Sequence, residues 1–293
     1  MLGEVLTAMV TPFKADGSVD YDRYRELASF LVDNGSDGVV AFGTTGESPT
    51  LSDEEKLELL AAALDAVGDR ATVVAGTGTY STGHSVHLTE QAHELGAHAF
   101  RVVTPYYNKP PPRGIVEHFR AIAAATDRPV VAYNIPGRVV INIEPSTFAQ
   151  LREIPNVTAV KQAHDDLDEA QAIVDLGFDL YTGDDPTLLP FLRLGATGVV
   201  SVLAHVVGPQ LKAMCRAYKD GDEEEAQRID EELAPAYELL RVAINPIPIK
   251  AALNMLGHEV GGHRLPMVPA SDEELARVRD CLERAGLQVP AAA

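Results

Sequence analysis

Basic residues are scarce in this chain. Its 293 residues hold 24 Lys plus Arg against 43 Asp plus Glu, a formal net charge of -19, which argues against binding nucleic acid or an anionic membrane through a broad basic face. Any anionic substrate must instead meet locally placed cations. Cysteine is nearly absent too. Cys215 and Cys281 stand far apart, lack metal-like spacing and fall in helical patterns, so they read as reduced, half-buried core residues. No window approaches the length of a membrane span, and Met1-Leu2-Gly3-Glu4 offers neither a basic segment nor a long apolar stretch. A soluble, cytoplasmic protein is therefore expected. There is no low-complexity linker and no repeat beyond a strand-helix alternation. What remains is 46% hydrophobic and long enough for a sizeable core. Single α/β barrels run to about 250 residues, so one domain with a C-terminal extension fits as well as two domains.

Short apolar runs alternate with amphipathic stretches. The expected strands are Val5 to Val10, Gly38 to Phe42, Thr72 to Ala75, Ala99 to Val103, Val130 to Tyr133, Val157 to Lys161, Leu180 to Thr182 and Gly198 to Val202. Being apolar on both faces, they suit a parallel sheet covered by helices. Helices are expected to start near Tyr21, Asp53, Thr82, Ile115, Pro145, Leu167, Thr187 and Pro209. Asp20 and Ser52 can cap free N–H groups, and Ser52 with Glu55 makes a capping box. Gly35, Gly96, Gly177 and Gly195 stand where a helix ends in a left-handed residue. Eight strand-helix units predict a (β/α)8 TIM barrel with a C-terminal helical extension, a doubly wound open sheet being the runner-up. The division falls at residues 1–208 for the barrel strands and most barrel helices, and 209–293 for the last barrel helix and a helical region. That region reads as helices Gln210 to Tyr218, Asp222 to Arg241, Ile247 to Leu256 and Asp272 to Ala285, with Glu223 to Glu225 and Glu231-Glu232 as solvated faces and a fraying end at Ala291 to Ala293.

Barrel enzymes carry their chemistry at the carboxyl ends of the strands. Lys161 closes Asn156-Val157-Thr158-Ala159-Val160-Lys161, a run with no other charge. A lysine so placed either snorkels to solvent or loses its proton in a dry site and becomes a nucleophile able to form a Schiff base. Other strands end in Gly43-Thr44-Thr45-Gly46-Glu47, in Thr104-Pro105-Tyr106-Tyr107-Asn108-Lys109-Pro110, in Tyr133-Asn134-Ile135-Pro136-Gly137-Arg138 and in Gly183-Asp184-Asp185. Singly, these read as a βα turn, interface aromatics or a capped surface loop. Together they set an amine, phenols, hydroxyls and a guanidinium on one rim, a set suited to an α-keto acid.

Other signals carry less. Gly76-Thr77-Gly78 lacks the third glycine of a dinucleotide fingerprint, Ser81 standing in its place. His84 and His87 share a helix face without a third ligand, so they read as a solvated pair and no metal is expected. Asp184 and Asp185 could suggest magnesium, but a helix N-terminus attracts carboxylates without one. Lys250, in Pro246-Ile247-Pro248-Ile249-Lys250, is expected to pack or pair at the start of a C-terminal helix.

In order and spacing these motifs, with Asn245-Pro246-Ile247-Pro248-Ile249-Lys250, resemble the 4-hydroxy-tetrahydrodipicolinate synthase family, also called dihydrodipicolinate synthases, from the first strand to about Pro266. The resemblance implies a TIM barrel, usually a homotetramer built as a dimer of dimers, that condenses pyruvate with L-aspartate 4-semialdehyde in the diaminopimelate route to lysine, with no metal or organic cofactor. It makes Lys161 the Schiff-base lysine, Tyr133 the proton-relaying phenol, Thr44 the hydroxyl between two tyrosines, and Tyr107 the phenol supplied across the dimer interface. Thr45 would hold the pyruvate carboxylate and Arg138 the semialdehyde carboxylate, with Gly183 and Val200 as pocket walls. The chain departs from relatives at Gln162, where many carry a carboxylate, which removes a possible charge neighbour of the lysine. It also places Asp53, Lys56, Tyr80 and His84 where lysine-inhibited relatives hold an effector, without their glutamate; weak or absent feedback by lysine is expected. The nearest alternative is an N-acetylneuraminate lyase or 2-keto-3-deoxy sugar acid aldolase, against which Arg138 and the Thr44-Thr45 pair speak. A keto-acid sensor without turnover is a further one, disfavoured by the intact Thr44, Tyr107, Tyr133 and Lys161 set.

Overall fold

The computed structural model describes residues 2–290; the alanine end expected to fray lies outside them. Eight strands, β1 Val5–Ala8, β2 Gly38–Ala41, β3 Thr72–Ala75, β4 Ala99–Val103, β5 Val130–Asn134, β6 Val157–Gln162, β7 Asp179–Thr182 and β8 Gly198–Ser201, follow one another around a closed barrel. Every neighbouring pair is parallel, and β8 closes onto β1 through Leu6↔Val200. Closure rules out the open sheet. Because successive side chains alternate across a strand, one set points inward. Leu6, Ala8, Val40, Val74, Ala99, Val131, Ala159, Tyr181 and Val200 pack there as a buried cluster, the floor on which the barrel mouth rests. The opposite set packs against the helices in the larger core.

The helices are α1 Tyr21–Asp33, α2 Asp53–Val67, α3 Thr82–Glu94, α4 Pro112–Ala123, α5 Pro136–Val139, α6 Pro145–Arg152, α7 Leu167–Asp175, α8 Leu188–Arg193, α9 Ala204–Lys219, α10 Glu223–Glu232, α11 Ala234–Leu239, α12 Ile247–Met255 and α13 Asp272–Arg284. Asp20 accepts from the Arg23 N–H, Ser52 and Glu55 form the expected box, and Gly35, Gly96, Gly177 and Gly195 all have positive φ.

Departures from expectation are mostly at prolines. Helix α4 starts at Pro112, not near Ile115, because proline at the first helical position loses no hydrogen bond. The single helix expected from Asp222 to Arg241 is two, separated at Leu233 just before Pro235, whose missing N–H cannot continue the ladder. Helix α9 begins at Ala204 and contains a break at Val207 (φ -131°, ψ 31°) ahead of Pro209, so the 208/209 division falls within it. The short helix α5 was not expected; it opens on Pro136 and stops at Val140, φ 66°.

The C-terminal region is fastened to the mouth of the barrel by a buried ion cluster. Lys250 donates to the Thr11 carbonyl (2.9 Å), to Glu47 Oε1 (3.0 Å) and to the Gly262 carbonyl. Glu47 also meets His263 Nδ1 (3.1 Å) and accepts from the Arg264 N–H (3.1 Å). With Lys250 and Glu47 both buried, the cluster joins the turn after β2 to the segment beyond α12. Lys250 thus pairs, as expected.

Candidate active site

Strand register sets the first pair of functional side chains. Tyr133 on β5 lies opposite Lys161 on β6, and Lys161 opposite Tyr181 on β7. Lys161 and Tyr133 are buried, and the amine sits 4.6 Å from the centre of the Tyr133 ring. The lysine therefore does not snorkel. Gly183, at the end of β7, makes room for it: a Cβ there would lie 2.6 Å from Lys161 Cε and 2.7 Å from Ala163 Cβ. Thr44 and Thr45, from the turn after β2, line the same cavity of about 160 Å³ with Arg138. Thr45 Oγ1 accepts from Asn245 Nδ2 (2.9 Å), which leaves its own proton free to donate. The Asn245 carbonyl accepts from Arg138 Nη2 (3.2 Å). Asn245 thereby ties the two proposed carboxylate holders together.

Electrostatics favour a neutral amine. Burial, then the Arg101 guanidinium, then Arg138 bring the Lys161 pKa down from 10.5 to about 7, against the opposing pull of Asp185 and Asp184. Burial raises the Tyr133 phenol, while the nearby Arg101, Arg138 and Thr44 side chains favour its anion. Amine and phenol thus move in opposite directions, the amine toward its neutral form while the phenol keeps its proton and can donate it. Asp185 is buried, its carboxylate engaged by Ser201 Oγ and by the N–H groups of Val202 (3.0 Å) and Leu203 (3.4 Å) ahead of α9.

The structure separates some residues that the sequence grouped. Tyr107 is 91% exposed with φ 67°, turned away from the cavity of its own chain. Val200 is buried among the floor side chains; Val202, one inward position further along the chain, lines the cavity instead. Gln162 faces away from Lys161, as strand alternation requires, and accepts from Asn134 Nδ2 (3.0 Å). It is not a neighbour of the amine, so the missing carboxylate is not felt there in the manner expected. Arg101 was not singled out, and Asn245 entered only as part of a motif, without a role. An arginine inside an otherwise apolar strand, Ala99-Phe100-Arg101-Val102-Val103, is the same signal that marked Lys161.

A second cavity of about 680 Å³ adjoins the first and shares Thr44, Arg101 and Arg138 with it. Asp53, Lys56, Tyr80 and His84 line it. Asp53 is held there by Lys56 Nζ (3.0 Å) and His84 Nε2 (2.7 Å).

The whole-chain comparisons agree with this fold. Residues 1–285 match the model of the dihydrodipicolinate synthetase family. This chain belongs to that family. The 4-hydroxy-tetrahydrodipicolinate synthase of Moorella thermoacetica is 49% identical over 288 residues, 97% of this chain and 99% of that protein. The one from Mycolicibacterium paratuberculosis is 50% identical over 275 residues, 94% and 92% of the two chains. The crystal structure of a dihydrodipicolinate synthase from Cyanidioschyzon merolae with lysine bound superposes with a TM-score of 0.96 at 43% identity, covering 98% of this chain and 99% of that one. As a dihydrodipicolinate synthetase family member, the chain is a lyase with a Schiff-base-forming aldolase mechanism.

Other candidate sites in this family member hold no comparable chemistry. His84 is engaged by Asp53 and His87 is exposed. Among the described residues no group of three or more His, Cys, Asp or Glu converges as a metal site.

Proposed function

We propose that this protein is a 4-hydroxy-tetrahydrodipicolinate synthase that condenses pyruvate with L-aspartate 4-semialdehyde. The observation that carries this reading is the buried amine: Lys161 lies beside the Tyr133 ring with its pKa drawn to about 7 by burial and Arg101, so that a large share of it is unprotonated at neutral pH. Its lone pair attacks C2 of pyruvate, the carbinolamine loses water, and a positively charged imine forms. The imine nitrogen is the electron sink, so a methyl proton leaves and the C–H electron pair forms an enamine. The enamine carbon attacks the aldehyde carbon of the second substrate, whose oxygen takes up a proton. That substrate's amino group then attacks the imine carbon, closing the ring and releasing Lys161. No step requires a metal or an organic cofactor.

In this reading Tyr133 moves protons to and from the carbinolamine and Thr44 links it to a second phenol, Tyr107 of another subunit. An exposed tyrosine on a left-handed backbone position supports that role, since no hydrogen bond or ring contact holds it among the described residues. The reading therefore includes a homo-oligomer, a dimer of dimers, in the cytoplasm. Thr45 holds the pyruvate carboxylate by its hydroxyl and N–H. Arg138, at the outer edge, holds the semialdehyde carboxylate with a two-pronged donor. Gly183 clears space for Lys161, and Val200 supports the floor.

A coupled assay with both substrates tests this, comparing wild type with Lys161→Ala and Arg138→Ala. The lysine variant is expected to be inactive. The arginine variant should lose roughly 10- to 100-fold in kcat/KM for the semialdehyde, the worth of a charge-assisted pair, while still forming the pyruvate imine. Unchanged semialdehyde turnover in Arg138→Ala would overturn the substrate assignment, and efficient sugar-acid cleavage would favour the aldolase alternative.

A further inference from the structure

Arg101 is an unneutralised cation inside the barrel. It is 5% exposed, its Nε is buried without a hydrogen-bond partner, and among the described residues no carboxylate lies within ion-pair distance of it. Its guanidinium lies 4.6 Å from the centre of the Tyr133 ring, the ring that Lys161 Nζ also approaches at 4.6 Å. Its Nη2 occupies a niche that side chains at two glycines would narrow: a Cβ on Gly76 would lie 3.0 Å from it and one on Gly43 3.5 Å. The planar fork thus faces the junction of the two cavities, beside Thr44.

A buried guanidinium does not lose its proton; it needs an anion. The nearby acids do not supply one: Asp185 is engaged by Ser201 and two N–H groups, and Asp184 is under pressure from burial and from Asp165. We propose that Arg101 is a specificity-determining residue that pairs with the carboxylate of the 2-oxo acid, so that the pocket selects 2-oxo acids over neutral carbonyl compounds. This rests on the reading of Lys161 as the imine-forming amine. Two carboxylates enter in the reaction, and two guanidiniums await them, Arg101 at the depth of Lys161 and Arg138 at the rim. The same charge acts on the chemistry. A cation beside the positively charged imine favours release of the methyl proton, because the enamine it yields is neutral.

Reductive trapping with cyanoborohydride, read by intact mass, tests the assignment using pyruvate and its uncharged methyl ester on wild type, Arg101→Met and Arg101→Lys. Wild type should be half-saturated at much lower pyruvate than ester. Arg101→Met should need roughly 10- to 100-fold more pyruvate, with little change for the ester, and Arg101→Lys should recover part of the preference. The pH midpoint of trapping should rise in Arg101→Met, with Tyr133, Arg138, Asp184 and Asp185 left as the charged and titratable groups around the amine. If Arg101→Met does not fold, Arg101→Gln is read for the same ratio. An unchanged preference for pyruvate over its ester in the folded variant overturns the role of Arg101. Absence of any adduct in wild type overturns instead the reading of Lys161, so the two failures are distinguishable. Because the aldehyde acid is left out, a loss seen here belongs to the first carboxylate and not to the second.

Discussion

Two buried lysines in this molecule have opposite surroundings. Lys250, 1% exposed, is met by Glu47, by two carbonyl oxygens and by the Phe13 ring at 4.4 Å. Lys161, 4% exposed, has no carboxylate at hydrogen-bond distance among the described residues and has two arginines among the groups acting on it. Burial lowers the pKa of both, but at Lys250 Glu47 pulls it back, whereas at Lys161 Arg101 pushes further down. The difference teaches that burial alone does not make a lysine reactive. A partnered amine fastens structure; an amine left among cations gives up its proton and keeps a lone pair for chemistry.

Removing Lys161 should have the largest effect. Lys161→Met is expected to be inactive and also to change how stability depends on pH. The folded pKa of about 7 lies below the ordinary 10.5, so between those values the unfolded chain binds more protons and wild-type stability rises with pH, by up to about 5 kcal/mol. Urea melts of Lys161→Met at pH 7 and pH 10 should lack that increase. Lys250→Met should do the reverse. Leaving Glu47 buried without its cation destabilises the fold by about 3 to 5 kcal/mol, measured as a lower denaturant midpoint, while imine formation keeps its pH midpoint. Glu47 has its carboxyl pulled down against burial by His263 and Lys250. Its stabilisation in wild type is therefore present above the ordinary carboxylate range and lost as pH falls through the lowered value, which an acid titration of stability would register. Gly183→Ala sharpens the comparison without replacing either lysine. Its Cβ would collide with Lys161 Cε and Ala163 Cβ, displacing the nucleophile, lowering kcat by about 100-fold and destabilising the fold by about 1 to 3 kcal/mol. The smallest effect concerns a third buried lysine, Lys56, which is paired with Asp53 beside His84. With that carboxylate already engaged, free lysine should leave turnover nearly unchanged; strong inhibition at modest concentration would contradict this.

Strand-helix alternation and the polar residues ending each strand were legible because both follow from periods that a sequence displays. Lys161 could be singled out since one charge in an apolar strand has few explanations, and the same logic applied to Arg101 would have found it. Tyr107 and Thr44 could be placed only by resemblance, because a phenol in a stiff loop carries no signal of which chain it serves. The Lys250 cluster joins residues over 200 positions apart, and no local pattern reveals which carboxylate a lysine will meet. Val202 replaced Val200 in the cavity lining because the two share an inward face, and only the depth of the floor tells them apart.

The most direct test of the central claim is site-resolved trapping of pyruvate across pH. Wild-type protein, reduced in the presence of pyruvate and mapped by peptide mass, should carry one adduct on Lys161, with yield rising through a midpoint near the amine's pKa of about 7. An unmodified folded protein, an adduct on another lysine, or a midpoint near the ordinary lysine value of 10.5 would contradict it.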